Sequence, residues 1–94
     1  MFDVRVESGG QVVVSGRFDA AESIRTLHVF QGLNSSTTVD CSELEYISSA
    51  GIAVMMETYK RLTGGGHQLR LVRVPPRVRT IFEYAGLAEL FGIS

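Results

Sequence analysis

Two adjacent hydroxyls, Ser48 and Ser49, stand where the apolar stretch around Leu44 and Ile47 gives way to the helical pattern that begins at Ala50 and Gly51. A helix starting there presents backbone N–H groups without intrahelical partners, at the positive end of its dipole. A phosphate on either serine would meet donors already in place. Serine is also a favoured N-cap, and spacing alone favours that structural role. Other candidate chemistry is sparse. His28 falls on the apolar side of a helical stretch, as a core or boundary histidine does, and His67 follows Gly64, Gly65 and Gly66 in a loop. Neither has a Cys or carboxylate at metal-ligand spacing, and no Ser-His-Asp order can be assembled from them. No catalytic residue, metal or cofactor is therefore expected, and the chain reads as a non-enzyme. The triple glycine follows a helix and precedes a strand, the reverse of a phosphate-binding P-loop, so it is read as a flexible turn.

The elements that must position the two serines follow from periodicity. Phe2 to Ser8 alternates apolar and polar and reads as a half-buried strand, closed by a Gly9-Gly10 hairpin turn. Gln11 to Ser15 is a second strand, and its run Val12, Val13, Val14 predicts burial on both faces. Asp19 and Glu22 have capping-box spacing at the start of a helix whose Ala20, Ile24, Leu27, His28 and Gln31 share one face, with Gly32 as its stop. Thr37 to Cys41 reads as a short third strand. A second helix over 49–62 places Ile52, Met55, Met56, Tyr59 and Leu62 inward, and Ala53, Val54, Glu57, Thr58 and Arg61 on its other face. Gln68 to Val72 is the fourth strand. Pro75 and Pro76 open a third helix with Val78, Ile81, Phe82 and Ala85 inward, and the stretch Leu87 to Ile93 is expected to pack back on the core. The order β-β-α-β-α-β-α predicts an α/β fold with a mostly parallel sheet of about four strands, an N-terminal antiparallel hairpin, and helices packed on the sheet. Asp19 and Asp40 are both expected at the strand ends beside the Ser49 helix, where sites of open α/β sheets favour the carboxyl edge.

Composition narrows the function. Ninety-four residues suit one small domain over 1–94 with a single core. A net charge of −1, with basic residues scattered, argues against a nucleic-acid partner. No apolar run approaches the ~20 residues of a membrane span, so direct membrane insertion is not expected. The amino terminus has no signal-like pattern, and the lone Cys41 fits a reducing compartment as a buried thiol; a cytoplasmic chain is expected.

The segment Tyr46-Ile47-Ser48-Ser49-Ala50-Gly51-Ile52 resembles the signature loop of the STAS family (sulfate transporter and anti-sigma factor antagonist), commonly Asp-Ser-Ser/Thr-Gly-Leu. Gly51 falls on the family glycine, Ile52 on its leucine and Ser49 on the serine that a partner kinase phosphorylates in sporulation-type antagonists. Gly16-Arg17-Phe18-Asp19 is similar to the family's Gly-Glu-Leu-Asp turn, and Val39-Asp40-Cys41-Ser42 to its Leu-Asp-Leu-Ser strand end. The Pro76–Phe82 stretch with Ala85, Gly86 and Leu87 is similar to the family's C-terminal pattern, so the resemblance covers nearly the whole chain. Two positions depart from it: Ser48 replaces the acidic residue, and Ala50 replaces Ser or Thr. The resemblance implies a bacterial anti-sigma factor antagonist, a phosphoprotein of transcription regulation. Its partners would be an anti-sigma factor serine kinase of the GHKL type and a phosphatase that reactivates it. Ser49 is the implied phosphoacceptor, ahead of Ser48, and the partner surface would comprise Asp19, Ser48, Ala50, Gly51, Ala53, Val54 and Glu57. Two alternatives from the same family are the STAS subunit of a phospholipid-transport ABC system, whose loop often reads Asp-Thr-Ala-Gly-Leu, and a scaffold STAS protein of a stress-sensing complex.

Overall fold

The computed structural model describes residues 1–93; Ser94, the last residue of the expected domain, lies outside the described residues. Strand β1 (Asp3–Glu7) and strand β2 (Gln11–Phe18) form the antiparallel hairpin, with Gly9 and Gly10 at φ +76° and +75° supplying its turn. Helix α1 (Ala20–Gln31) leads to β3 (Thr37–Ile47), α2 (Ser49–Gly64) to β4 (Leu69–Val72), and α3 (Pro76–Tyr84) follows. The sheet order is β1-β2-β3-β4, and β2, β3 and β4 are parallel. This is the expected α/β fold with its hairpin edge.

Burial explains the arrangement. Val12 and Val14 are fully buried against the helices and Val13, on the opposite face of the sheet, nearly so, in line with the burial predicted for this apolar run. Val12, Val14, Val39 and Leu71 join buried residues of all three helices in one cluster, which includes Phe18, Phe30, Leu62, Val78 and Phe82. The C-terminal stretch closes it: buried Phe91 packs edge-on against both Phe82 and Tyr59. Cys41 is buried there too, and burial pushes its thiol up to about 12.

Several placements differ from the sequence reading. Strand β3 runs on to Ile47 because its second half continues to pair with β2, through Ser15–Glu43 to Phe18–Ile47, across two register irregularities. In α1 the buried residues are Thr26 and Phe30, whereas Ile24 is 71% exposed and His28 is exposed. Thr26 can face the core because its hydroxyl donates to the Glu22 carbonyl at 2.9 Å. In α2, Val54 and Thr58 are buried beside Met55 and Leu62, since α1 packs along that side of the helix. Thr58 satisfies its hydroxyl on the Val54 carbonyl in the same way. Ala85 is exposed just past the end of α3.

Candidate functional site

The end of β2 and the end of β3 lie side by side, with Phe18 in register with Ile47. Neighbouring strands are about 4.8 Å apart, so Asp19 and Ser48 leave the sheet next to each other. The Ser48 N–H donates to the Phe18 carbonyl at 2.9 Å, which ties the two chain exits together. Ser48 is the N-cap of α2: its backbone is extended (φ −86°, ψ 171°) and its Oγ accepts the Gly51 N–H at 3.2 Å. Ser49 is the first helical residue and is exposed. Among the described residues its hydroxyl makes no hydrogen bond, and the N–H groups of Ser49 and Ala50 have no partner within the helix. No acidic residue occupies the first turn. The two serines therefore divide the two roles: Ser48 caps, and Ser49 offers a free alcohol at the positive helix end.

Gly51 is buried, and its role is internal. A Cβ there would lie 2.8 Å from Ile47 Cγ1, 3.0 Å from the Phe18 carbonyl oxygen and 3.1 Å from Phe18 Cδ1. The missing side chain lets α2 start tight against the sheet edge; it does not open the backbone to a partner. Val54, 5% exposed, is likewise a floor residue and not an outer contact. Ala53 and Glu57 are exposed, and Asp19, Ser48 and Ala50 are half-buried, so these five with Ser49 form the accessible part of the expected surface.

Asp19 stands at the N-cap of α1, but its side chain makes no capping bond and the expected capping box does not form. The Glu22 N–H is taken by the Asp19 carbonyl at 3.2 Å, and the Glu22 carboxylate pairs instead with Arg25 at 3.0 Å. Asp19 Oδ1 is buried without a hydrogen-bond partner. Such an atom carries a desolvation cost of about 1–3 kcal/mol, which is uncommon outside sites of function or strain.

Asp40 does not join this site. It lies within β3, seven residues before Ile47 and thus roughly 20 Å from the serine loop at about 3.3 Å per residue. Its row, Arg5–Val13–Asp40–Val72, faces away from the helices. Arg73 donates to Asp40 Oδ2 at 2.8 Å and the Ser42 N–H to Oδ1 at 2.9 Å. The Arg73 hydrogen bond, opposed by desolvation, holds the carboxyl down at about 2. Asp40 is a clip between β3 and the residue after β4.

A groove between α1 and α2 was not anticipated from the sequence. Ser23, Ile24 and Leu27 on one side and Ala50, Ala53 and Glu57 on the other line an open cleft of about 320 Å³ over Val54. The available signal was the excess of apolar residues in α1: Ile24, Leu27, Val29 and Phe30 cannot all share one stripe.

The family model described as "Mlab, STAS domain" matches residues 3–92. The chain belongs to the STAS family. A curated relative named as an anti-sigma factor antagonist, BtrV of Bordetella bronchiseptica, is 36% identical over 56 residues, covering 60% of this chain and 48% of BtrV. This STAS chain thus spans about half the length of that relative. Among solved structures, an anti-sigma factor antagonist from Mycobacterium paratuberculosis superposes with a TM-score of 0.78 at 22% identity, over 99% of this chain and 83% of that one. The unphosphorylated anti-sigma factor antagonist SpoIIAA gives 0.75 at 20% identity, over 95% and 84%. At these identities the likeness establishes the STAS fold. No helix among the described residues is long and apolar enough to cross a membrane.

Proposed function

We propose that this STAS chain is an anti-sigma factor antagonist: a non-enzymatic module that, unmodified, binds an anti-sigma factor kinase of the GHKL type and so frees a sigma factor. Phosphorylation of Ser49 by that kinase ends the association, and a phosphatase restores it. The observation that carries this reading is the exposed Ser49 hydroxyl at the first position of a 16-residue helix whose capping duty is already met by Ser48. Phosphate would add about −1.5 to −2 charges at one end of the docking face. The free N–H groups of Ser49 and Ala50 accommodate it locally, so release comes from charge and bulk against the partner, with the domain itself unchanged. Asp19 and Glu22, close by, add repulsion. The BtrV likeness, and SpoIIAA having been solved in a phosphorylated form, support the same reading. Incubation with the kinase and ATP followed by peptide mass spectrometry tests it. Phosphate on Ser49, absent from Ser49→Ala, is expected; phosphate on Ser48, or none, would sink the assignment.

A second reading, the STAS subunit of a phospholipid-transport ABC system, is favoured by Ala50. Ser49-Ala50-Gly51 follows Thr-Ala-Gly in that loop more closely than Ser-Ser-Gly. Co-purification of the native chain with a permease and an ATPase, and no phosphorylated form, would establish it.

A further inference from the structure

We propose that the α1–α2 groove selects the partner, by receiving an amphipathic helical segment that presents one bulky apolar side chain and a Lys or Arg one turn away. The proposal rests on the kinase-binding reading above and names the chemistry that the same surface recognises. Ile24 is a large aliphatic residue left 71% exposed on α1, directly across the cleft from Ala50 and Ala53 of α2. Those two alanines are too short to fill the space, and Val54 beneath them gives the cleft an apolar floor. At about 320 Å³ and open to solvent, the cleft is at the low end of small-molecule pockets and suits a protruding side chain.

The basic neighbour follows from Glu57. It is exposed on the rim and, among the described residues, has no ion-pair partner, whereas Glu22 on the opposite helix is already held by Arg25. Lys60 and Arg61 lie one turn on, beside Glu57 in the adjoining cleft, but neither pairs with it, and Arg61 is held by the Phe30 and Leu33 carbonyls. No cation among the described residues lines the groove itself, and one from the partner is its complement. Spacing indicates the partner's form. Ser49, Ala53 and Glu57 recur every four residues, so they form one stripe along α2 with about 5–6 Å between successive positions. An apolar contact at Ala53 and a cation at Glu57 are thus separated by one helical turn, the separation that a helix lying along the groove provides. The same stripe places Ser49 one turn from the apolar contact on its other side. A phosphate there intrudes on the segment that the groove holds.

Titration calorimetry of the full chain against the purified anti-sigma factor kinase of the same organism tests this. Ile24→Glu, Ala53→Lys and Glu57→Lys each change an exposed residue, and thermal melts verify that each variant is folded. Each is expected to weaken binding at least tenfold, and the Glu57→Gln variant should respond less to added salt than wild type. Ile24→Glu or Glu57→Lys binding like wild type, while Ser49→Asp still weakens the complex, overturns the groove and leaves the antagonist reading standing. Wild type failing to bind the kinase overturns that reading and this occupant with it.

Discussion

At the scale of single residues, the serine pair separates a capping hydroxyl from an exposed, unbonded one. Ser48→Ala removes the acceptor of the Gly51 N–H and should cost about 0.5–2 kcal/mol in urea unfolding. Ser49→Asp should leave stability unchanged or raise it by about 0.3–1 kcal/mol, because a negative charge at the first helical position favours the dipole. Comparable losses from both substitutions would mean that Ser49 is also held by the fold. Gly51→Ala should be worse than either, at about 1–3 kcal/mol. Its Cβ meets the Phe18 carbonyl, and that carbonyl cannot retreat while it accepts the Ser48 N–H. The loop was legible in the sequence because its pattern is local: a cap, a glycine and the start of an apolar helix. The solvent exposure of Ile24 and the burial of Val54 were not. Both depend on how α1 is rotated against α2, which no local spacing encodes.

Between elements, two arginines hold joints that the sequence reading left unassigned. Arg61 on α2 donates to the carbonyls of Phe30 and Leu33 at 2.7 and 2.8 Å, satisfying acceptors at the C-terminal end of α1. Arg61→Met keeps the aliphatic stem and loses both bonds, so a destabilisation of about 1–2 kcal/mol is expected, with Arg61→Lys recovering little of it. Arg73 clips β3 through Asp40 while itself adopting φ +53°, a left-handed conformation unfavourable for a non-glycine residue. Asp40 is depressed to about 2 from an ordinary 3.8, so the clip contributes fully above pH about 4 and is lost as pH falls towards 2. The Arg73 side chain is 59% exposed, so solvent screening keeps the contribution of the pair small. Arg73→Ala should therefore be slightly less stable than wild type at pH 7, with a gap that closes between pH 4 and pH 2. Arg73→Gly should be more stable than Arg73→Ala, since it relieves the backbone; the reverse order would argue against strain at this position. Asp40 was expected beside Ser49 because β3 was read as ending at Cys41. Its continuation to Ile47 rests on pairing with β2, and Glu43-Leu44-Glu45 does not announce a strand on its own.

For the whole molecule, element order and the hairpin edge were readable because alternating strands and helices leave few ways to bury one core. The packing of helix on helix was not, and it is this packing that forms the groove between α1 and α2. The Ser48–Gly51 loop lies at one end of that groove, with Ser49 on the same stripe of α2 as Ala53 and Glu57. The central claim is that modification at this one position governs association while the fold stays as it is. The most direct test compares the dissociation constant of the anti-sigma factor kinase for the unmodified chain with that for the chain phosphorylated at Ser49, alongside thermal melts of both. The account predicts at least a tenfold weaker complex for the phosphorylated chain, with a melting temperature equal to or slightly above that of the unmodified one. Equal affinities, or weakened binding accompanied by loss of the fold, would contradict it.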